Sequence, residues 1–187
     1  MATITLRDQG ETLDEPAAIS SFLAGHGIWY RRFEGVDSLP EGAGDDEILA
    51  AYREPIAGLR ASGGYVTADV INVNPQTPGL DAMLNRFNKE HWHDEDEVRF
   101  VVGGRGLFHV HPPEGPVFSI EVERGDMIMV PRGTHHWFDL CANRQIRAIR
   151  LFQDTSGWTP HYTESRVDES YQPVCFGYGD IALMNRV

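Results

Sequence analysis

Apolar residues recur at two different spacings along this chain, and the change of spacing divides it. In the first ninety residues helical and extended patterns alternate. Ile19, Phe22 and Leu23 form one apolar helical face, with Asp14 placed to cap it and Pro16 in its first turn. IWYRRFE reads as a strand. Ile48, Leu49, Tyr52, Ile56 and Leu59 recur at helical spacing behind the acidic start Asp45-Asp46-Glu47. Pro55 is expected to kink that helix, and Gly63-Gly64 to end it. YVTADVINV then alternates as a strand, and Leu80, Met83, Leu84 and Phe87 mark another short helix.

From about residue 91 short strand-like runs follow one another between Gly, Pro and Asp: EVRFVV, GLFHVH, VFSIEVE, DMIMVP, HHWFDL and IRAIRLF. Several short strands with turn residues between them predict a sandwich or barrel. Residues 153–187 carry prolines, glycines and polar residues and read as a wrapping C-terminal segment. The expectation is one mostly β domain over 1–187: an entry region of helices and strands (1–90), a barrel core (91–152) and the wrap (153–187).

Composition narrows this picture. With 187 residues and 41% hydrophobic content, a single core needs no external staples. No apolar run approaches the ~18 residues of a membrane helix. The start, MATITLRDQG, lacks a basic segment followed by an apolar one, so a cytoplasmic location is expected. On that ground Cys141 and Cys175 are expected to be free thiols. A formal net charge of -12 argues against a nucleic acid or an anionic membrane as partner. A small-molecule partner and a monomeric state are expected.

The acidity collects beside histidines. Of eight histidines, six fall between residues 91 and 136. In His91-Trp92-His93 the two imidazoles share one face of an extended segment and can chelate one ion. Glu97 has the same parity, if a turn at Asp94-Glu95-Asp96 preserves direction. Two imidazoles and a carboxylate leave coordination positions open, as in non-haem iron(II) oxygenases. A fourth ligand is expected from GDMIMVPRGTHHW, where neighbours face opposite ways; the spacing from Gly133 favours His136 over His135.

Other charged residues carry less. His109 and His111 repeat the i, i+2 pattern without a matching carboxylate and read as barrel filling or surface; His26 and His161 are isolated. The run Asp94-Glu95-Asp96 is expected to be mostly solvated, with Glu95 the one placed to influence the site. Arg99 shares the parity of Glu97 and is read as orienting a ligand or meeting an anionic substrate. Arg150, between apolar residues of AIRLF, needs an anionic partner: either an ion pair with Glu97 or Glu95, or a substrate contact. Phe87, Trp137 and Trp158 are candidates to wall an apolar pocket.

His91, His93, Glu97 and Gly104, followed by Gly125, Pro131, Gly133 and His136, resemble the two cupin motifs, with Asn85 and Leu140 standing where a glycine and an asparagine are usual. HWHDEDEVRFVVGGRGLF, VPRGTHHWFDL and AIRLFQDTSGW resemble the bacterial acireductone dioxygenases of methionine salvage, as do AAYREPIAGLRASGGYVTADVINV and LDAMLNRFNKEHWH. The resemblance covers residues 1–165, and VDESYQPVCFGYGDIALMNRV lies outside it. It implies a cupin (double-stranded β-helix) barrel with helices packed outside. It implies one iron(II) or nickel(II) per chain on His91, His93, Glu97 and His136, with cobalt or manganese as substitutes. Arg99 and Arg150 would be polar residues beside the metal, and Phe87 and Trp158 pocket aromatics. The implied reaction is cleavage of acireductone by dioxygen. The iron form would give 4-methylthio-2-oxobutanoate and formate; the nickel form 3-methylthiopropanoate, formate and carbon monoxide. The competing expectations are another cupin enzyme, such as a manganese oxalate-degrading enzyme or a sugar isomerase, and a metal-stabilised binding cupin without turnover.

Overall fold

A computed structural model describes residues 1–33, 39–40, 42–154 and 158–176. Its elements run β1 (Thr3–Leu6), β2 (Glu11–Leu13), α1 (Pro16–Gly25), β3 (Trp29–Arg32), α2 (Asp45–Ala51), α3 (Arg53–Gly63), β4 (Thr67–Val73) and α4 (Leu80–Phe87). Then come β5 (His91–Trp92), β6 (Glu97–His111), β7 (Phe118–Glu123), β8 (Asp126–Val130), β9 (His135–Leu140), β10 (Ile146–Phe152) and β11 (His161–Tyr162).

The strands form two antiparallel sheets that share β6. Residues 97–104 of β6 lie between β8 and β10, with β3 beyond β8 and β4 beyond β10. Residues 105–111 lie between β7 and β9, with β1 and β2 on one side and β5 and β11 on the other. EVRFVV and GLFHVH, read as two strands, are therefore one strand bent at Gly103-Gly104. Gly104 has φ +71°, and a Cβ there would stand 2.2 Å from the Gln145 carbonyl oxygen, so only glycine turns the corner. The result is the expected cupin barrel.

Side-chain alternation sorts three layers. Val101, Phe108, Val110, Ile128, Val130, Phe138 and Ile146 point into the barrel and pack with Ile19 and Leu23 of α1. Val98, Phe100, Met127, Ile149 and Leu151 point out of the first sheet and are covered by Ile48, Tyr52 and Ile56 of α2 and α3. The outer face of the second sheet is covered by residues 171–176 of the C-terminal segment; residues 177–187 of the expected wrap lie outside the described residues. Trp137 meets Tyr171, whose hydroxyl donates to Asp8, and the Phe176 N–H donates to Glu121.

Three local expectations change, and one element carries no signal in the sequence. The helix break falls at Tyr52, three residues before Pro55, because a proline ring clashes with the carbonyl four residues back and disrupts the turn before it. Residue Glu15, rather than Asp14, holds the N-cap of α1, without a side-chain cap bond; Pro16 at N1 carries the start instead. The β1–β2 hairpin, too short for a periodic signal, was not foreseen. Cys141 and Cys175 are not free thiols but a disulfide, and with Leu107 they form a small buried cluster. The fold brings the C-terminal segment back onto the end of β9, a proximity that separation in sequence conceals.

Candidate metal centre

His91 in β5, His93 just after it, Glu97 opening β6 and His136 in β9 converge inside the barrel, each 1–2% exposed. Ladder registry explains the convergence. His91 stands opposite His136, and Val110 of β6 pairs with His136 on its other side. Between His93 and Glu97 the chain bends, and a bond from Gly133 N–H to the His93 carbonyl holds the loop (2.9 Å). The imidazole centroids lie 4.7 Å (His91–His136), 4.8 Å (His91–His93) and 5.2 Å (His93–His136) apart.

Each ring has its Nδ1 engaged by a backbone carbonyl: His91 by Lys89 (2.6 Å), His93 by Thr159 (2.9 Å) and His136 by Thr134 (2.8 Å). A carbonyl accepts only, so Nδ1 carries the proton and each Nε2 keeps its lone pair for the shared interior. The three donor atoms lie within 4.8 Å of one another. Glu97 Oε2 lies 3.1 Å from both His93 Nε2 and His136 Nε2, and His93 Nε2 is buried with no hydrogen-bond partner among the described residues. Three unprotonated imidazole nitrogens and one carboxylate oxygen at a buried point suit a divalent transition ion. Electrostatics favour that form. Burial, reinforced by the charge His136 can carry, pushes His91 down to about 3. Burial alone would raise Glu97, but the adjacent Arg99 guanidinium outweighs it and holds the carboxyl well below the usual range.

Arg99 Nε donates to Glu97 Oε1 (2.6 Å), and its guanidinium lies over Trp158 (5.0 Å) and Phe138 (5.2 Å). Arg150 pairs neither with Glu97 nor with Glu95. It forms a two-pronged ion pair with Asp69, its direct cross-strand neighbour (2.8 and 2.6 Å). Arg99, Arg150 and Phe87 line one cavity of about 200 Å³, with apolar walls from Ile71, Met83, Leu84, Phe138 and Leu140. The Phe87 ring also stands 5.8 Å from His91, so the cavity abuts the histidine cluster. A larger groove of about 640 Å³ beside Gly103, Asn143 and Arg147 contains none of these histidines.

The remaining candidates divide. Trp158 stacks near His93 (6.1 Å), with its buried indole N–H unpartnered among the described residues. Trp137 does not wall the cavity: adjacent to His136, it faces the other way and stacks on His109 (4.8 Å) beneath the C-terminal segment. Its stacking partner His109 is fully buried there, bonded to Ser119 (2.8 Å). Glu95 accepts the Gln153 N–H (2.9 Å); burial and its contact with Asp154 raise its carboxyl. The acidic run is not simply solvated: Asp94 pairs with His161 and Asp96 takes the Arg132 N–H and the Tyr65 hydroxyl. His135 points outward.

The sequence reading missed Asp69 and the three backbone carbonyls. A lone acidic residue within the strand TADVINV, which pairs with AIRLF, was a usable sign of the first; backbone acceptors leave no residue-type signal at all.

A family model described as the ARD/ARD′ family matches residues 44–160. The acireductone dioxygenase of Picosynechococcus sp. is 42% identical over 174 residues, covering 93% of this chain and 99% of that protein. The acireductone dioxygenase of Sulfurihydrogenibium sp. is 40% identical, covering 88% and 96%. Among solved structures, an acireductone dioxygenase from Bacillus anthracis with a cadmium ion in its active center superposes with a TM-score of 0.81 at 37% identity, covering 87% of this chain and 98% of that one.

Proposed function

This chain belongs to the ARD/ARD′ family, and from that premise we propose that it is a metal-dependent dioxygenase cleaving acireductone in methionine salvage. The observation that carries the reading is the set of three Nδ1–carbonyl bonds, which present three Nε2 lone pairs and the Glu97 carboxylate to one buried point beside an arginine-edged cavity.

A divalent iron or nickel ion held by His91, His93, Glu97 and His136 would supply Lewis acidity, lowering the pKa of the bound enediol. The chain's own residues do the rest. Arg99, already bound to Glu97, offsets the charge that an enediolate adds to a site holding a carboxylate. The apolar walls at Ile71, Met83, Leu84 and Phe87 receive the methylthio end, where they exclude water. Arg150, fixed by Asp69, stands at the same cavity to meet a substrate oxygen. The Trp158 indole N–H is a further donor beside His93. The protein works as a monomer on its small substrate and dioxygen. The identity of the ion held by these four residues would set the products: 2-oxo acid and formate with iron, shorter acid, formate and carbon monoxide with nickel.

The test is aerobic incubation of metal-loaded protein with acireductone. Oxygen uptake and formate release above the spontaneous rate are expected, with carbon monoxide from the nickel form alone. No substrate loss above that rate, with metal content confirmed, overturns the reading.

A further inference from the structure

The alternation that turns His91 and His136 inward turns their neighbours outward. Glu90, His111 and His135 meet on the opposite face of the same strands. His111 and His135 are direct partners in the β6–β9 ladder, and Glu90 immediately precedes β5. One ligand atom from each lies within 4.8 Å of the other two. Glu90 Oε1 is 2.5 Å from His111 Nδ1 and 4.0 Å from His135 Nδ1.

The carboxylate is built into the fold, while the imidazoles face water. Glu90 is 1% exposed; the His111 and His135 side chains are 36% and 46% exposed. Its Oε2 accepts hydrogen bonds from the Thr163 and Ser165 hydroxyls, and its main-chain carbonyl takes the Thr163 N–H (3.1 Å). These bonds fix the carboxylate plane and leave Oε1 turned to the two histidines. Hydroxyl donors on the far oxygen are how protein sites orient a ligating carboxylate. Two imidazole nitrogens with one carboxylate oxygen form a borderline donor set, suited to zinc-like divalent ions and poorly suited to calcium or magnesium.

We propose that Glu90, His111 and His135 form a second divalent transition-metal site, separate from the central one, with water completing the coordination. Loading displaces the proton shared between His111 Nδ1 and Glu90 Oε1, and that proton leaves to solvent. Because both histidines are solvent-facing, the ion enters without passing through the barrel interior. Once bound it ties β5, β6, β9 and residues 163–165 together directly behind the strands that carry His91 and His136. Its role is to brace that wall.

Zinc binding to the full chain tests this. Wild type is expected to take two zinc equivalents at saturation, one of them lost in His135→Ala and in the His111→Ala/His135→Ala variant. Both positions are partly exposed, so these variants fold, and circular dichroism checks that they do. The second readout is melting temperature in protein whose central site is already filled with nickel: added zinc raises it in wild type and leaves the double variant unchanged. A single zinc equivalent in wild type overturns the proposal, and so does a second equivalent or a zinc-induced shift that survives in the double variant. None of these outcomes depends on which reaction the central site performs.

Discussion

Arg99 Nε donates to Glu97 Oε1 at 2.6 Å while both side chains are almost wholly buried. The pair joins the histidine cluster to the cavity, since Arg99 is also a cavity wall. Removing one partner of a buried ion pair leaves the other charge without compensation, at about 3–5 kcal/mol. Arg99→Met is therefore expected to destabilise the metal-free protein by about 3 kcal/mol. The loss should shrink when the site is loaded, because the ion takes over the neutralisation of Glu97. Urea titrations with and without nickel measure both; equal losses in the two states would refute the coupling.

His135 and His136 are adjacent in sequence and face opposite sides of β9. His136→Ala is expected to lose central metal and activity, whereas His135→Ala keeps the activity of the central site. Turnover per central ion in each variant decides, and the reverse pattern would mean that the β9 register is wrong.

Acid should weaken the metal-free protein in a defined window. Burial depresses His91 to about 3, so the folded state binds fewer protons than the unfolded chain below the ordinary histidine value. Stability from this group is complete above about pH 6.5 and falls by about 1.4 kcal/mol per unit toward pH 3. Glu97 adds a second loss at lower pH, because its depressed carboxyl stabilises the fold above the ordinary value and stops doing so as pH falls through the folded one. Denaturation midpoints of chelator-treated protein at pH 7 and pH 5 should differ accordingly. A bound ion should flatten the first slope, since it occupies the His91 lone pair.

The Cys141–Cys175 bridge closes a loop with a sequence separation of 34 and holds the segment that covers Trp137 and His109. Cys175→Ser is expected to lower stability by about 2–4 kcal/mol. Protease cleavage after residue 165 should accelerate, and the fluorescence of Trp137 should shift red. An unchanged melting temperature under oxidising conditions would rule out the bridge as a stabilising element.

Asp69 and Arg150 form a partly exposed pair, so its own contribution to stability is expected to be small, under about 1 kcal/mol. Asp69→Asn should instead act on substrate: the freed Arg150 loses its orientation, and KM is expected to rise while kcat changes less. A change confined to stability would assign the pair a structural role alone.

Residue types and local spacing determined much of this protein. The parity of His91, His93 and Glu97, and the glycine and proline frame before His136, are properties of a few consecutive residues, and a strand's two-residue period converts them directly into a shared face. The helical faces of α1 and α3 and the run of strands after residue 91 are legible for the same reason. Tertiary structure decided whatever depends on which strands become neighbours. That Asp69 meets Arg150, that Trp137 lies under Tyr171, that Cys175 reaches Cys141 and that Glu90 gathers two histidines on the back of the barrel follow from ladder registry and chain return. Those contacts join residues far apart in sequence. Periodicity states which way a side chain points; only the packed sheet supplies what it points at.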